Sequence, residues 1–186
     1  KILITGTAGF IGFSLALSLL KDGYHVIGID NINNYYSRKL KIDRLKILKK
    51  FKKFKFLKID IRNKKKLLHN LKFQKLNSVY HLAAQAGVRH SLKKPDDYVS
   101  NNLVGFFNIM DVSKKINVKH FIFASSSSVY GLNKKLPFTE LDPVNHPSQF
   151  YAATKRSNEL MAHSYSCIYK INCTGVRFFT VYGPWG

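Results

Sequence analysis

Two groups of residues in this chain could share one reaction. Thr5-Gly6-Thr7-Ala8-Gly9-Phe10-Ile11-Gly12 places a glycine at every third position near the start. Tyr151-Ala152-Ala153-Thr154-Lys155 places a phenol and an ammonium four residues apart. Glycines at the first spacing allow a tight turn, close approach of backbone to phosphate and close helix–strand packing. A helix that starts there turns free N–H groups and a partial positive charge toward a pyrophosphate. Asp30 follows at the distance of a ribose-binding acid. Its carboxylate can accept ribose hydroxyls and would repel a 2′-phosphate, which favours NAD over NADP; capping a turn is the alternative. Asp60 could face adenine or hold a turn.

A phenol titrates near pH ~10 and is a poor base at neutral pH. On a helix, Tyr151 and Lys155 share a face. The ammonium, together with a positive nicotinamide ring, is expected to lower the phenol's pKa. Tyr151 could then take a proton from a sugar hydroxyl while hydride leaves the same carbon. Tyr-x-x-x-Lys alone is common, but downstream of a nucleotide fingerprint it carries weight. Ala124-Ser125-Ser126-Ser127-Ser128-Val129-Tyr130-Gly131 reads as an ordered loop after a strand, where a hydroxyl can share the proton with Tyr151. His81, His90, His120, His146 and His163 show no metal-ligand spacing and read as structural or surface residues, so no metal is expected.

The elements that must position these groups alternate. Strands are expected at 1–5, 25–29, 54–59, 78–82, 120–124 and 174–178. Helices are expected at 9–21, 38–50, 64–71, 96–116 and 149–169. Residues 132–147 hold Pro137, Pro143 and Pro147 and read as loop. Such alternation implies right-handed crossovers and a doubly wound parallel sheet of the Rossmann, α/β class. In such sheets ligands bind beyond the carboxyl ends of the strands. Gly6, Asp30, Asp60, Ala83, Ser125 and Thr180 all follow strand ends.

The 186 residues suffice for one domain, with 45% hydrophobic content. No apolar run reaches the ~20 residues of a membrane span, and no signal peptide is visible, so a cytoplasmic protein without membrane association is expected. Cys167 and Cys173 read as free thiols. The net charge of +21, from 31 basic against 10 acidic residues, is mostly lysine spread over the surface. It reads as solvated surface, and no nucleic-acid partner is expected. Lys1 and the closing Gly183-Pro184-Trp185-Gly186 suggest a domain truncated at its C-terminal end.

The chain resembles the extended short-chain dehydrogenase/reductases, and among them the nucleotide-sugar epimerases. The motifs Thr-Gly-x-x-Gly-Phe-Ile-Gly, His81-Leu82-Ala83-Ala84, Asn101-Asn102, the serine run, Tyr-x-x-x-Lys and Arg177-Phe178-Phe179 stand in that family's order. The longest shared runs, 83–89, 125–133 and 177–186, are similar to the UDP-glucuronate 4-epimerases. The resemblance implies Ser126, Tyr151 and Lys155 as the catalytic group. It implies that Gly6, Gly9, Phe10, Ile11, Gly12, Asp30, Asn31, Asp60, Ile61, Leu82, Ala83, Ala84 and Asn101, with Tyr151 and Lys155, contact NAD. It implies that Gly87, Arg89, Ser126, Ser127, Ser128, Tyr151 and Thr180 face a UDP-sugar; for Arg89 a structural ion pair is the alternative. Ala86 stands where galactose epimerases have a lysine.

The implied reaction inverts C4 through a transient 4-keto sugar, with a UDP-glucose/galactose-type epimerase as the alternative enzyme. A homodimer through a four-helix contact is also implied. Relatives of this kind have a C-terminal substrate domain that closes over the nucleotide. Residues 1–186 alone are therefore expected to be an NAD-binding unit with weak or no turnover. Related 4,6-dehydratases have an Asp-Glu pair at positions 127 and 128, and uronate decarboxylases have Glu at 128.

Overall fold

The computed structural model describes residues 1–186. Its centre is a six-stranded parallel sheet: β1 (Ile2–Thr5), β2 (Val26–Asp30), β3 (Phe54–Lys58), β4 (Ser78–His81), β5 (His120–Ser126) and β6 (Asn172–Phe178). The strand order is β3-β2-β1-β4-β5-β6, every pairing parallel. This is the doubly wound order with its reversal between β1 and β4, the place where such sheets open a crevice for ligands. β1 and β2 are buried along their whole length, as parallel strands covered on both faces must be.

Helices α1 (Phe10–Lys21) and α2 (Arg38–Leu48) cover one face of the sheet. There Ile4, Phe13, Leu20, Val26, Leu45 and Leu48 form one core cluster. On the other face are α3 (Lys64–Leu71), α6 (Phe106–Lys115) and α7 (Phe150–Tyr169). Their larger cluster includes Leu3, Ile29, Leu67, Val79, Phe106, Met110, Phe121 and Phe123. Phe106 meets both Phe121 and Phe123 edge to face, at 5.7 and 5.3 Å between ring centroids.

Three local expectations are corrected. The serine run does not leave the sheet at Ala124. β5 continues through Ser126, because β6 pairs with it as far as Ser126↔Phe178. Only Ser127–Tyr130 then turn, as a short 3-10 segment. Residues 88–93 form a helix that periodicity did not reveal, α4 (Val88–Lys93). The single helix expected over 96–116 is broken into α5 (Pro95–Tyr98), a π-helical stretch over Val99–Gly105, and α6.

The π stretch has a physical reason. Asn102, 2% exposed, turns inward there. Its Oδ1 accepts the Gln85 N–H at 2.8 Å, and its Nδ2 donates to Gln85 O and Thr154 Oγ1. Its own carbonyl accepts from Asn158 Nδ2 at 2.7 Å. One asparagine thus joins the loop after β4 to α7, and the widened turn admits it. Such π segments often sit at functional sites.

Phe121 is fully buried between these layers. Phe121→Ala should lower the unfolding free energy by about 3–5 kcal/mol, read from urea denaturation followed by circular dichroism.

Candidate active site

The first turn of the site is set by steric necessity. Gly6 has φ +74°, and a side chain there would strike the Ala83 backbone at 2.8 Å. A Cβ on Gly12 would lie 2.2 Å from the Gly6 carbonyl oxygen. The turn is therefore closed on itself, with α1 packed directly on it. Gly9 precedes α1 with no side-chain cap, and no acid lies in the helix's first turn. The helix's leading N–H groups thus have no side-chain acceptor at its positive end, an arrangement that fits a pyrophosphate.

Asp30, at the end of β2, accepts the Ala8 N–H at 3.1 Å and the Ile32 N–H at 2.8 Å, one on each carboxylate oxygen. Each oxygen keeps a further lone pair, so a ribose hydroxyl can still be accepted. Asp30 therefore also holds the glycine turn to β2, a role its spacing alone did not reveal. Two buried cations escaped the sequence reading. Lys41 Nζ donates to the Asn33 carbonyl and to its Oδ1, at 3.0 and 2.6 Å. Arg44 Nη1 donates to the Ala8 carbonyl at 3.1 Å, and its Nη2 to the Trp185 carbonyl. Both interact electrostatically with Asp30. The Trp185 ring lies 5.6 Å from Phe13, so the last residues fold back onto α1.

Other residues expected at the nucleotide are placed as follows. Asn31 Nδ2 donates to Asp60 Oδ2 at 3.0 Å. Asp60 also accepts both arms of Arg62, which holds its carboxyl down at about 2. Its oxygens brace the loops after β2 and β3. Ile61 is buried against Gly105, so its side chain belongs to the core. Ala83 donates its N–H to Thr5 Oγ1 at 3.1 Å. Leu82 packs on the α1 side, whereas Ala84 is exposed beyond the sheet edge. Asn101 donates to the Asp97 carbonyl at 2.7 Å, while Asn102 makes the buried links. Phe10 and Ile11 are half-buried on the first turn of α1.

The second group forms where α7 crosses the end of β5. Lys155 is 4% exposed, and its Nζ donates to the Ala124 carbonyl at 2.9 Å. Burial lowers its pKa to about 8. Ser126 Oγ accepts from Ser128, through the backbone N–H at 3.2 Å and the hydroxyl at 2.8 Å. At the Tyr151 phenol burial is the leading influence. The phenol's pKa is raised, chiefly by burial, and the neighbouring Ser126 side chain pulls it only partly back. The Lys155 ammonium lies 5.9 Å from the Tyr151 ring centroid, against the Ala124 carbonyl, and does not overcome that burial. Ser126, Tyr151 and Lys155 are thus together, and the phenol is held protonated.

Gly87, with φ +94°, and Arg89 line an open cavity of about 460 Å³ with Tyr35, His90 and Lys93. Arg89 makes no ion pair; it is exposed on α4. Ser127 and Ser128 are half-buried on the 3-10 turn, and Thr180 is exposed just past β6. The sequence reading missed Tyr98, which is fully buried; its hydroxyl reaches the Ala86 and Gly87 carbonyls and its ring lies 6.1 Å from Tyr151. His81 is also buried, hydrogen-bonded to Thr5 Oγ1 at 2.7 Å; burial lowers its pKa to about 3, so it is neutral. No group of three or more His, Cys, Asp or Glu side chains could hold a metal ion. No helix is long and apolar enough to cross a membrane.

A crevice of this form, on a doubly wound sheet with an uncapped glycine turn and a Tyr–Lys pair, defines a Rossmann-fold, nucleotide-binding protein of the dehydrogenase/epimerase class. The family model described as GDP-mannose 4,6 dehydratase matches residues 3–186, and the chain belongs to that family. "Protein CapI" of Staphylococcus aureus is 54% identical over 100% of this chain and 55% of its own length. "Probable UDP-glucuronate 4-epimerase" of Rhizobium meliloti is 48% identical over 100% of this chain and 54% of its own. The solved UDP-glucuronic acid 4-epimerase of Bacillus cereus, in complex with UDP-glucuronic acid and NAD, is similar at TM-score 0.89 and 40% identity. That likeness covers 99% of this chain and 58% of the other. The chain spans little more than half the length of these relatives.

The Lys155 ammonium titrates at about 8 in the fold against 10.5 as its ordinary value. Between those values the unfolded chain binds more protons, so this group makes stability rise as pH rises from 8 toward 10.5. Lys155→Met should lack that component; urea midpoints of both proteins at pH 8 and pH 10 measure the difference.

Proposed function

We propose that this chain is the NAD-binding part of a nucleotide-sugar 4-epimerase acting on UDP-glucuronate. The observation that carries this reading is the convergence of Tyr151, Ser126 and Lys155 beside two further hydroxyls, Ser127 and Ser128, with no carboxylate among them. The relatives named as UDP-glucuronate 4-epimerases support it. NAD is the cofactor the crevice fits: the first turn of α1 would hold its pyrophosphate, Asp30 a ribose and Lys155 the nicotinamide ribose. When bound, NAD supplies a reversible hydride acceptor for the sugar's C4.

Tyr151 removes and returns the proton of the C4 hydroxyl. Ser126, whose hydroxyl would hydrogen-bond the phenolate, shares that proton. Because burial holds the phenol protonated, the residue becomes a base only as positive charge arrives beside it. Elimination, as in a dehydratase, would need an acid and a base at positions 127 and 128, and two hydroxyls do not replace them. A 4-keto uronate is a β-keto acid and loses CO₂ readily. Neutral hydrogen bonds from Ser127, Ser128 and Thr180 would hold the carboxylate in a conformation that does not favour that loss. Arg89, exposed at the neighbouring cavity, would add charge for the substrate's anionic groups. A UDP-glucose-type epimerase is the second reading.

The full gene product, supplied with NAD, should convert UDP-glucuronate to UDP-galacturonate, followed by proton NMR. Turnover of UDP-glucose and not of UDP-glucuronate would overturn the substrate assignment. Residues 1–186 alone should bind NAD but turn over slowly or not at all. Tyr151→Phe should lower kcat by roughly 10²–10⁴-fold with little change in KM. Ser128→Glu should raise the fraction of UDP-pentose among the products; an unchanged ratio counts against the role given to the serines.

A further inference from the structure

Three consecutive residues at the end of β5 are each engaged by α7. Ser126 is close enough to act on the Tyr151 phenol, and its two predecessors are bonded to the helix directly. The Ala124 carbonyl meets Lys155 Nζ at 2.9 Å. The Ser125 hydroxyl donates to Glu159 Oε1 at 2.6 Å. Tyr151, Lys155 and Glu159 follow one another at four-residue steps, so they form a single stripe along the helix. The proposed mechanism uses the first two and leaves Glu159 without a part.

Glu159 is more than a surface acid. Its side chain is 12% exposed. It accepts Arg177 Nε at 2.9 Å and Arg177 Nη2 at 3.1 Å, one on each oxygen, and Arg156 Nη1 at 2.9 Å. Arg177 belongs to β6 and precedes Thr180 by three residues. Its guanidinium lies 5.0 Å over the Tyr130 ring, and its Nη1 donates to the Glu140 carbonyl at 3.3 Å. Tyr130 ends the 3-10 turn that presents Ser127 and Ser128. One carboxylate therefore ties α7 directly to β5 and β6, and through Arg177 to the 3-10 turn.

Elsewhere α7 meets the rest of the fold through other side chains. It buries Ala152, Thr154, Lys155, Asn158 and Ala162, and Met161 and Tyr165 pack partly buried on the core. Asn158 pins α7 to the π stretch, away from the serines. A forked Arg–carboxylate pair fixes direction as well as distance, and here it acts on the serine side.

We propose that Glu159 is a positioning residue: through Ser125 and Arg177 it sets the height of α7 against β5, and so the approach of the Tyr151 phenol to the Ser126 hydroxyl. This rests on the reading of Tyr151 as the proton carrier. The variants Glu159→Gln and Arg177→Lys loosen the tie; the second keeps the charge but loses the fork.

The experiment places 3-fluorotyrosine at position 151 of the 186-residue chain and follows its ionisation by fluorine NMR without cofactor. In both variants the midpoint should move upward by roughly half a pH unit or more, because the Ser126 hydroxyl, which favours phenolate, then acts from farther away. Midpoints at the wild-type value, in variants whose circular dichroism is unchanged, overturn the proposal. Should either variant not fold, Ser125→Ala, which removes a single hydroxyl, decides by the same shift or its lack. The underlying reading is tested separately: undiminished turnover by Tyr151→Phe would remove Tyr151 as proton carrier whatever the fluorine titration shows.

Discussion

Lys155 places an ammonium where water does not reach, with one main-chain carbonyl as its partner. Removing such a charge from water costs several kcal/mol even after relaxation, and the fall of its pKa to about 8 expresses that penalty. The surrounding architecture answers it. β5 has to extend past Ala124 to present that carbonyl, and β6 has to extend beside it to hold the strand in place. α7 has to cross at this height and no other. Beneath it lies His81, held neutral on Thr5, so no second positive charge competes for the same space.

The crevice is consequently built with few open charges. Asp60 is matched by Arg62, and Glu159 by Arg177 and Arg156. Asp30 is tied to backbone N–H groups, with Lys41 and Arg44 bound to carbonyls nearby. Around Tyr151 what is left is hydroxyls, Ser126, Ser127, Ser128 and Thr180, with the unpaired Arg89 at the neighbouring cavity. Under the proposed reading this suits a reaction that returns its substrate at the same oxidation level. Groups that donate and accept with equal ease serve both directions of proton movement, whereas a fixed charge would favour one side.

Much of this was legible in the residues. The glycine spacing, the acids at strand ends and the Tyr–Lys pair are local patterns, and the strands that position them are apolar runs with clear borders. The less legible parts depend on pairing between distant segments. Ser125 and Ser126 read as loop because their polarity suggests it, but the register with Arg177 and Phe178 keeps them in the sheet. The π stretch was invisible because Asn102 is an ordinary helical residue until its partners Gln85, Thr154 and Asn158 are known. Arg44 and Lys41 lay among many surface lysines, and nothing local marked them as buried. Around Tyr151, likewise, spacing places an ammonium nearby, but only packing shows how much water both groups have lost.

The contact between Gly6 and Ala83 bears on how the molecule comes into being. The nucleotide-binding turn is written in the first dozen residues, yet its shape is moulded on a backbone that follows β4, and Thr5 waits for the Ala83 N–H. β1 itself lies between β2 and β4, so one of its edges stays unpaired until β4 is made. During synthesis the earliest-made part of the crevice is therefore among the later parts to acquire form. For that interval a nascent chain presents an apolar strand with a free edge, the kind of surface that chaperones bind and neighbouring chains can pair with.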